Sequence, residues 1–396
     1  MKIAIFMPSF LPKCSGAEIF HHNLATRFAE AGHEPVLVIP RRNVEALSAT
    51  ALPYARAPFP ANLWSWFKRS PWLAFRASDW VLRSLQRRHR FDVWHGVVTF
   101  PTGVSLIHWQ RGAGRVPCVV RAVGDDLVSA PEFGVGLRRS PVADRCVRRW
   151  LPRAQAVVAL SEAMAEEYRA LGVPAAAIHR IPNAVDLPRF SARPDRVAVR
   201  EKFGVRREAF LFLSVGRNHP QKDFTTLLQA AAILKGETSQ PWQLLIVGRD
   251  SEALSAEVRE WSLGAEVSLG SVAMEPGSFQ LPPSDLIELY RSADAFVMSS
   301  LLEGFSSALI EAMAAELPVI ATDAPGCREF HGDALLVPTR SPAALAAAMR
   351  TVLEDEATRG ALVAKSRARA AEFMWPRAVE AYLGLYRQLG AGAARP

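Results

Sequence analysis

The sequence predicts an α/β protein of two Rossmann-like domains that face each other across a cleft. Its 396 residues, 49% of them hydrophobic, exceed the roughly 100–200 residues of one typical domain. Short β-rich runs alternate with amphipathic helical stretches, the pattern of βαβ units in parallel sheets. This alternation occurs twice in succession. Because small-molecule sites in such sheets lie at the carboxyl ends of the strands, we expect the active site in the cleft.

The first series begins at the N-terminus with five predicted strands. They are the segments KIAIFM, EPVLVIP, DVWHGVV, CVVRAV and AVVAL. A helix is predicted after Ser15 and Gly16, because apolar residues recur there at helical spacing. These residues are Ala17, Phe20, Leu24 and Phe28. We expect this helix to end at Gly32, since glycine suits the position after a helix C-terminus.

The second series follows a Pro-, Arg- and Asp-rich segment between Ile181 and about Ala209. This segment lacks apolar periodicity and is where we place the domain boundary. The predicted strands beyond it are FLFLSVG, QLLIVG, EVSLGS, DAFVMSS, LPVIATD and DALLVP. A long amphipathic helix, Trp375 to Leu389, closes the chain.

Composition excludes several classes of protein. The four cysteines, Cys14, Cys118, Cys146 and Cys327, have no spacing typical of a zinc site or a disulfide framework, so we expect reduced thiols in a cytoplasmic protein. The N-terminal apolar run is too short for a signal peptide. No stretch approaches the about 18 apolar residues of a membrane-spanning helix, which leaves a soluble protein or one that lies on a membrane.

Charge is unevenly distributed along the chain. Residues 1–180 hold 24 Lys and Arg against 13 Asp and Glu, a net charge of +11, whereas the remainder carries −3. A basic half indicates an acidic partner, such as anionic lipid, nucleic acid or an acidic glycan, or a merely Arg-rich composition. Between Asn62 and Arg90 six aromatic residues interleave with Lys and Arg, a composition that suits a membrane-interface helix.

The common nucleotide motifs are absent. The sequence contains no GxGxxG after the first strand, no GxxxxGK[ST] and no HExxH, which argues against hydride transfer, P-loop phosphoryl transfer and zinc proteolysis. Instead, the turn Lys13 to Glu18 contains Gly16 at a helix start. Helix N-termini bind anions, and glycine permits a phosphate to approach the backbone, although an ordinary strand-to-helix turn fits equally well.

The most informative segment is Ser299 to Glu316, which follows a predicted strand and opens a helix. Glu303 and Glu311 are separated by seven residues, and the loop residues Gly304, Phe305, Ser306 and Ser307 lie between them. Backbone N–H groups at such a helix start suit a diphosphate. Glu303, before the turn, can face sugar hydroxyls, whereas Glu311 can reach a ribose; a solvated helix glutamate and a chance loop glutamate are the alternative.

A pair of cations follows the first strand of the second series. Arg217 and Lys222 lie between that strand and the next predicted helix. Both side chains can converge on one phosphate group at the strand's carboxyl end. Cations placed there stabilise the charge on a departing nucleoside diphosphate and could replace a metal ion. Taken alone, two loop cations are also compatible with an ordinary surface.

Together these stretches resemble the retaining GT-B glycosyltransferases of the family-four type, also called glycosyl transferases group 1. The resemblance covers nearly the whole chain. Its carriers are SGAEIFHHNLATRFAEAGHEP, VVALSEAMAEEY, IPNAVDLPRF, SVGRNHPQKDFTTLLQAAA, EGFSSALIEAMAAELPVIATDAPGCREF and FMWPRAVEAYLGLYRQL. It implies an acceptor-binding domain over residues 1–185, a donor-binding domain over residues 186–374, and a helix over residues 375–396 that crosses back to the first domain.

The resemblance also implies roles for individual residues. Arg217 and Lys222 would hold the donor diphosphate, and Glu303 would contact the transferred sugar. Glu311 would bind the ribose, and Val272 would pack against the base. Backbone N–H groups of residues 305–308, ending at Ala308, would surround the sugar. The leaving phosphate would accept the acceptor's proton, so that anomeric configuration is retained without a metal ion; the absence of a DxD segment agrees with this.

One position departs from the family pattern. Val123 occupies the place of a histidine that contacts the donor sugar in the family, and this puts donor preference and activity in doubt. Asp126 matches the family aspartate and could contact donor or acceptor, and Arg121 or Asp125 could compensate. His95 and His108 are the nearest histidines in sequence, although a core or surface role fits them as well.

The sequence therefore predicts a cytoplasmic enzyme that moves a hexose from a UDP-, GDP- or ADP-sugar to a glycan or lipid-linked glycan. We expect it to act in cell-surface glycan synthesis, without a metal cofactor or a nucleic-acid partner, either free in the cytoplasm or on the inner membrane face. The alternatives are a nucleotide-sugar epimerase, a phosphorylase, and a donor-binding protein with little turnover. Product analysis separates the enzymes, and donor binding without transfer identifies the binding protein.

Overall fold

The computed structural model describes residues 1–11, 16–59, 63–112, 114–274 and 279–393. The chain divides into two compact units. The first comprises residues 1–182, 279–281 and 378–396, and the second comprises residues 183–278 and 282–377. Each unit contains one parallel sheet with helices between successive strands, so the predicted α/β class is confirmed.

The first unit is built on a seven-stranded parallel sheet with the order β3-β2-β1-β4-β5-β6-β7. Its strands are β1 Lys2–Phe6, β2 Glu34–Pro40, β3 Ala55–Phe59, β4 Val93–Val97, β5 Cys118–Arg121, β6 Ala156–Ala159 and β7 Ile178–Arg180. The chain leaves β1 toward one edge and returns to the other side at β4, where Ile3 pairs with Val93. The carboxyl ends of β1 and β4 are therefore a topological switch point.

The five strands predicted in this half are present, with ends that differ by one or two residues. β3 and β7 were not predicted. Both are edge strands, and each has a local reason for its weak signal. β3 contains Pro58, which an edge strand tolerates, and β7 has only three residues, none of them buried.

The helices of the first unit follow its strands. They are α1 Gly16–Glu30, α2 Arg41–Ala46, α3 Leu63–Arg69, α4 Pro71–His89, α5 Val104–Gly112, α6 Pro141–Trp150 and α7 Glu162–Ala170. Gly32 has φ +76° two residues beyond α1, as expected after a helix end. The expectation of one helix between Asn62 and Arg90 is wrong: two helices form, because Pro71 lacks an N–H donor and starts α4 behind the N-cap Ser70. The membrane-interface role of this stretch stays a prediction. Asn62 lies outside the described residues.

The second unit contains a six-stranded parallel sheet with the order β10-β9-β8-β11-β12-β13. All six predicted strands are present. They are β8 Phe210–Val215, β9 Trp242–Val247, β10 Val267–Gly270, β11 Ala295–Met298, β12 Val319–Thr322 and β13 Leu335–Val337. Leu227, Ile246 and Val352 belong to the apolar core between this sheet and its helices.

The helices of the second unit are α8 Arg196–Lys202, α9 Phe224–Glu237, α10 Ser255–Glu260, α11 Ser284–Ser292, α12 Ser307–Ala314, α13 Pro342–Glu354 and α14 Glu356–Ala370. The final helix, α15, spans Trp375–Ala393 and so extends past the predicted Leu389. α8 was not predicted, since it lies in the segment without periodicity. It is held by Asp195, which caps its N-terminus, and by buried Arg200, which pairs with Asp294 at 2.5 Å.

Candidate active site

The candidate site lies at the carboxyl ends of β8 and β11. These two strands are neighbours at the centre of the second sheet, and β9 lies on the other side of β8. The direction of winding reverses between β8 and β11, which makes their carboxyl ends the crevice where ligands bind in sheets of this type. The two motifs singled out in the sequence, residues 216–222 and 299–311, follow these two strands.

The loop after β8 depends on close backbone packing. The Gly216 N–H donates to the Val247 carbonyl at 2.9 Å, and a Cβ at Gly248 would collide with the Gly216 carbonyl. A Cβ at Gly216 would lie 3.1 Å from Lys222 Cε, so the aliphatic chain of Lys222 passes directly over this glycine. Because neither glycine has a side chain, the backbones of the two loops pack closely and the Lys222 side chain lies across Gly216.

Two hydrogen bonds tie this loop to the one after β11. The Ser299 hydroxyl donates to the Lys222 carbonyl at 2.8 Å, and the Leu301 N–H donates to the Gln221 carbonyl at 2.7 Å. The backbone around Lys222 is therefore held against the start of the Glu303 loop, although about 80 residues separate the two segments.

The charged centre of the site is an ion pair between Lys222 and Glu303. Lys222 Nζ lies 2.6 Å from Glu303 Oε1, and the two side chains are only 14% and 10% exposed. The Ser300 hydroxyl donates to the same Oε1 at 2.7 Å. Because removing both charges from water is costly, a pair this buried needs such additional hydrogen bonds. The arrangement holds one cation and one carboxylate side by side at the strand ends.

The turn that follows β12 contacts the backbone of Glu303 and helps to position this residue. Its N–H donates to the Pro325 carbonyl at 2.9 Å, and Gly326 packs against its backbone. Gly326 has φ +82°, and a Cβ there would collide with the Glu303 carbonyl oxygen. Only glycine satisfies both requirements without strain.

α12 begins at Ser307, directly after the loop that holds Glu303. The Ser306 hydroxyl donates to the Met298 sulfur at 3.3 Å and does not cap the helix. The Phe305 ring is buried against Phe330 and Phe373. Gly304 and Ala308 are half-buried. Ser307, the first residue of α12, accepts a hydrogen bond from Asn183 at 3.1 Å.

Glu311 lies one turn into α12. The Tyr290 hydroxyl of α11 donates to Glu311 Oε2 at 3.1 Å. Burial raises the pKa of Glu311 to about 7, while the Tyr290 hydrogen bond and the charges of Arg189 and Lys222 oppose this rise. The protonation state of Glu311 should therefore change when a ligand donates hydrogen bonds to the ionised carboxylate.

The remaining predicted donor residues of this unit lie around that centre. Arg217 is exposed on the loop after β8. Val272 is half-buried just beyond β10, at the edge of the sheet. Their predicted contacts, with the diphosphate and the base, stay predictions.

Residues predicted from the first unit have a different character. Gly16 is the first residue of α1, and a Cβ on it would contact nothing within 4 Å, so the fold itself does not require glycine there. Lys13, Cys14 and Ser15 of the same turn lie outside the described residues. Asp126 is buried and accepts backbone N–H groups from Thr99, Val123 and Gly124. Burial raises its pKa, and the hydrogen bonds from Thr99 and Val123 act against this rise.

The contacts of Asp126 in this structure are therefore structural, and its role toward donor or acceptor stays a prediction. Val123 is half-buried beside it, and Asp125 is exposed. His108 lies in the middle of α5 and pairs with Asp79 of α4 at 3.0 Å.

Arg121 and His95 contact the final helix in this structure, and a role for either in place of the missing histidine stays a prediction. The Arg121 guanidinium donates to the Tyr382 hydroxyl at 3.0 Å, and both Arg121 and His95 are buried. His95 Nδ1 lies 2.6 Å from the Tyr386 hydroxyl. Burial, and then the Arg121 charge, lower the pKa of His95 to about 3, so the imidazole is neutral. These groups bind α15 to the sheet of the first unit.

Four supporting residues were not identified from the sequence: Ser300, Tyr290, Pro325 and Gly326. Ser300 and the Pro325-Gly326 turn stand inside segments that the family resemblance covers, but nothing in their spacing relates them to Glu303. Tyr290 belongs to α11, twenty-one residues before Glu311. The described residues contain no group of three or more His, Cys, Asp or Glu side chains placed to hold a metal ion.

Comparison with known proteins identifies the family of the chain. The family description Glycosyltransferase Family 4 matches residues 14–189, and glycosyl transferases group 1 matches residues 195–369. A D-inositol 3-phosphate glycosyltransferase from Catenulispora acidiphila is 30% identical over 74% of this chain and 69% of its own length. The chain therefore belongs to the group 1, family 4 glycosyltransferases.

Individual relatives extend the comparison. A D-inositol 3-phosphate glycosyltransferase from Kineococcus radiotolerans is 34% identical over 72% of this chain, and the match spans 66% of that relative, slightly under two thirds of its length. Among solved structures, the Anabaena protein HepE in complex with UDP has a TM-score of 0.72 at 21% identity, over 99% of this chain and all of the other. Sucrose-phosphate synthase from Thermosynechococcus elongatus has a TM-score of 0.75 at 20% identity, over 99% of both chains. The predicted GT-B class is thus confirmed.

Proposed function

We propose that this protein is a retaining, metal-independent hexosyltransferase that uses a nucleotide-diphosphate sugar. The observation that carries the proposal is the Lys222–Glu303 pair at the β8/β11 switch point. Lys222 supplies a cation for the diphosphate, and Glu303 supplies a carboxylate for sugar hydroxyls. Both residues lie at the carboxyl ends of β8 and β11, where ligands bind in parallel sheets with this strand order.

The donor is bound in segments along one edge of the second sheet. Arg217, Lys222 and the N–H groups at the start of α12 bind the diphosphate, because cations and helix N-termini attract anions. Glu311 accepts hydrogen bonds from the ribose, and Val272 packs against the base. Structures of HepE with UDP and with UDP-glucose support a nucleotide-sugar donor, and a UDP-sugar is the first candidate.

The Lys222–Glu303 pair also indicates how these two side chains replace their mutual contact by contacts to the donor. In this structure the cation is paired with the carboxylate. When a diphosphate arrives, Lys222 contacts its oxygens, and the hydroxyls of the sugar donate to Glu303. Each group then exchanges one partner for another without leaving a buried charge unpaired, which keeps the cost of donor binding low.

In the reaction, the acceptor oxygen bonds to the anomeric carbon as the bond from that carbon to the diphosphate breaks. Attack occurs on the face that the diphosphate leaves, so the configuration is retained. The acceptor proton passes to the departing phosphate oxygen, and Lys222 and Arg217 stabilise the charge that develops there. The reaction therefore requires neither a protein base to accept the proton nor a metal ion to stabilise the charge.

The acceptor is a glycan or lipid-linked glycan bound by the first unit, at the cytoplasmic face of the membrane, in cell-surface glycan synthesis. The net charge of +11 over residues 1–180 favours an acidic acceptor. The similar proteins act, by their names, on D-inositol 3-phosphate, and this phosphorylated polyol is the second candidate acceptor. Among the described residues, no helix has the length and hydrophobicity required to span a bilayer.

Donor choice and chemistry can be tested in one series. Thermal-shift measurements with UDP-, GDP- and ADP-sugars identify the donor, and NMR of the product reports its anomeric configuration. Incubation with a panel of glycans, lipid-linked glycans and D-inositol 3-phosphate, with and without EDTA, tests the acceptor and metal independence. An inverted product or complete inhibition by EDTA contradicts the proposal.

The alternatives separate in the same series. Conversion of the donor without an acceptor identifies an epimerase, and a requirement for inorganic phosphate identifies a phosphorylase. Donor binding without transfer to any acceptor identifies a binding protein, for which the residue Val123 is the sequence hint.

A further inference from the structure

One helix of the first unit exposes large apolar side chains. Trp72 and Trp80 of α4 are 64% and 72% exposed, and Leu73 is 58% exposed. Arg76, Arg83 and Arg87 alternate with them. At 3.6 residues per turn these six positions fall within about 100° of arc, so they form one stripe along the helix. We call these six residues the α4 outer face.

The α4 outer face lies opposite the side of the helix that packs on the first unit. Ala74, Phe75, Ser78, Val81 and Leu82 are buried and form that packed side. α4 therefore has its own core contacts, and the exposed tryptophans are not required to complete them. Large exposed apolar groups of this kind mark an interaction surface.

Charge on this surface has one sign. α4 contains four arginines and one acidic residue, Asp79, which pairs with His108 of α5 on the flank of the helix. Arg76 lies over the Trp72 ring at 5.0 Å. Within the described parts of the chain, neither Arg83 nor Arg87 forms an ion pair with an acidic side chain. Their charges are thus available to an anionic partner.

Further arginines surround a tryptophan beside the packed side of α4. Trp150 of α6 contacts the Phe75 ring at 5.6 Å, and Arg149 and Arg153 lie over the Trp150 ring at 5.6 and 5.7 Å. A shallow surface depression is lined by Trp80, Arg83, Ser84, Arg87 and Arg88. The guanidinium groups and the Ser84 hydroxyl can donate hydrogen bonds to a phosphate group. The Trp80 ring offers an apolar surface to the apolar groups attached to that phosphate.

We propose that the α4 outer face docks the protein onto an anionic lipid surface, with Trp72, Leu73 and Trp80 at the headgroup level and the arginines on lipid phosphates. Tryptophan and arginine on one helix face are typical of helices that lie in the membrane interface. A second copy of the chain is a poorer occupant, because two faces of like charge would repel each other. The inference rests on the proposed function, because a lipid-linked acceptor requires the enzyme at a membrane.

Vesicle flotation with the full chain tests the proposal. Phosphatidylcholine vesicles with and without about one third phosphatidylglycerol are compared at low salt, and we expect binding to the anionic vesicles alone. R83Q/R87Q should weaken binding about 10- to 30-fold, since each basic residue near an anionic surface contributes to binding. R83K/R87K keeps both charges and should bind nearly as well as the parent. W72S/W80S should also lower binding and abolish the shift of tryptophan fluorescence to shorter wavelength.

Matched controls come from the second unit. W261S removes a tryptophan that is 38% exposed there, and R259Q/K365Q removes two exposed charges. Both should bind vesicles as the parent does. Equal binding of the parent to neutral and anionic vesicles, or unchanged binding of R83Q/R87Q, overturns the proposal. A concentration-dependent dimer that is lost in W72S/W80S without vesicles overturns it in favour of a second copy.

The same variants separate this inference from the proposed function. R83Q/R87Q and W72S/W80S should bind a UDP-sugar in a thermal-shift assay as the parent does, because α4 belongs to the other unit. Vesicle binding with no binding of any nucleotide sugar leaves the docking surface standing and contradicts the proposed function. Donor binding without vesicle binding contradicts the docking surface and leaves the proposed function standing.

Discussion

The two sheets share the same central topology but differ in the chemistry at their switch points. In the first unit, β1 and β4 are neighbours, and the nearby carboxylate of Asp126 is fully engaged by backbone N–H groups. In the second unit, β8 and β11 are neighbours, and Lys222 and Glu303 face each other through their side chains. One carboxylate is therefore held by backbone N–H groups, while the other is paired with a side-chain cation. Topology locates a crevice, but side-chain partners decide what it can do.

The largest expected effect breaks the second switch point. Replacement of Lys222 or Glu303 by alanine should lower kcat/KM by a factor on the order of 10² or more, because contacts to the developing diphosphate charge or the sugar are lost. Steady-state kinetics with the preferred donor measure this. Lys235→Ala, which removes the surface pair with Glu266, is the control and should leave the rate unchanged. Rates within about threefold of the parent for Lys222→Ala would contradict its role.

The first switch point should respond in stability rather than in donor binding. Asp126→Ala leaves three backbone N–H groups, two of them buried, without their acceptor and should lower the free energy of unfolding by about 3 kcal/mol. Urea denaturation measures the loss, with exposed Glu166→Ala as the control. Donor affinity should be unchanged. A large loss of donor affinity with unchanged stability would instead give Asp126 the direct contact that the family resemblance implies.

A glycine pair sharpens the account of how Glu303 is positioned. Gly326 and Gly332 both have positive φ, but only Gly326 packs against Glu303. Gly332→Ala meets nothing within 4 Å and should cost about 1 kcal/mol of unfolding free energy, from the backbone conformation alone. Gly326→Ala adds the collision with Glu303 and should cost about 2 kcal/mol or more. It should also lower turnover, which Gly332→Ala should not; equal effects of both variants would show that the packing on Glu303 is unimportant.

The smallest effect concerns pH at the ribose end of the site. The pKa of Glu311 is raised to about 7, so the carboxyl is protonated below that pH. If ribose hydroxyls donate to the ionised form, affinity for a UDP-sugar should be about tenfold weaker at pH 6 than at pH 8, with proton release on binding. Calorimetry in buffers of different ionisation enthalpy measures both. The raised pKa also means that stability falls as pH rises from about 4.5 to 7, because the folded state holds this proton more tightly.

Two variants test the assignment to Glu311. Glu311→Gln should remove the pH dependence of donor affinity. Tyr290→Phe removes the hydrogen bond that lowers the pKa, so the midpoint should move to higher pH. A profile that is unchanged in Glu311→Gln would mean that another group titrates.

The fold was predictable because its signals are local. Alternating apolar runs identified eleven of the thirteen strands described, and the two that were missed, β3 and β7, are edge strands with weak apolar patterns. The aromatic and basic composition of this stretch does not reveal the break at Pro71, whereas Ser70 followed by Pro71 is a local signal for a helix start. Lys222, Glu303 and Glu311 were identified because their chemistry and spacing lie within short segments.

The supporting shell could not be predicted, because it joins segments that are distant in sequence. Ser300 lies three residues from Glu303, yet whether its hydroxyl turns toward that carboxylate depends on the path of the loop. Tyr290 meets Glu311, and Gly326 meets Glu303, only because α11 and the turn after β12 pack beside α12 and its loop.

By itself, the sequence determined the α/β class, the two successive series of strands and the family motifs with their charged residues, since these depend on periodicity and short-range spacing. Tertiary structure decided which charges meet. Strand order brings the ends of β8 and β11 together, and this adjacency pairs Lys222 with Glu303. It also decided that Asp126 binds backbone N–H groups of its own loop and of the segment after β4, because a buried carboxylate binds whichever donors the fold leaves closest to it.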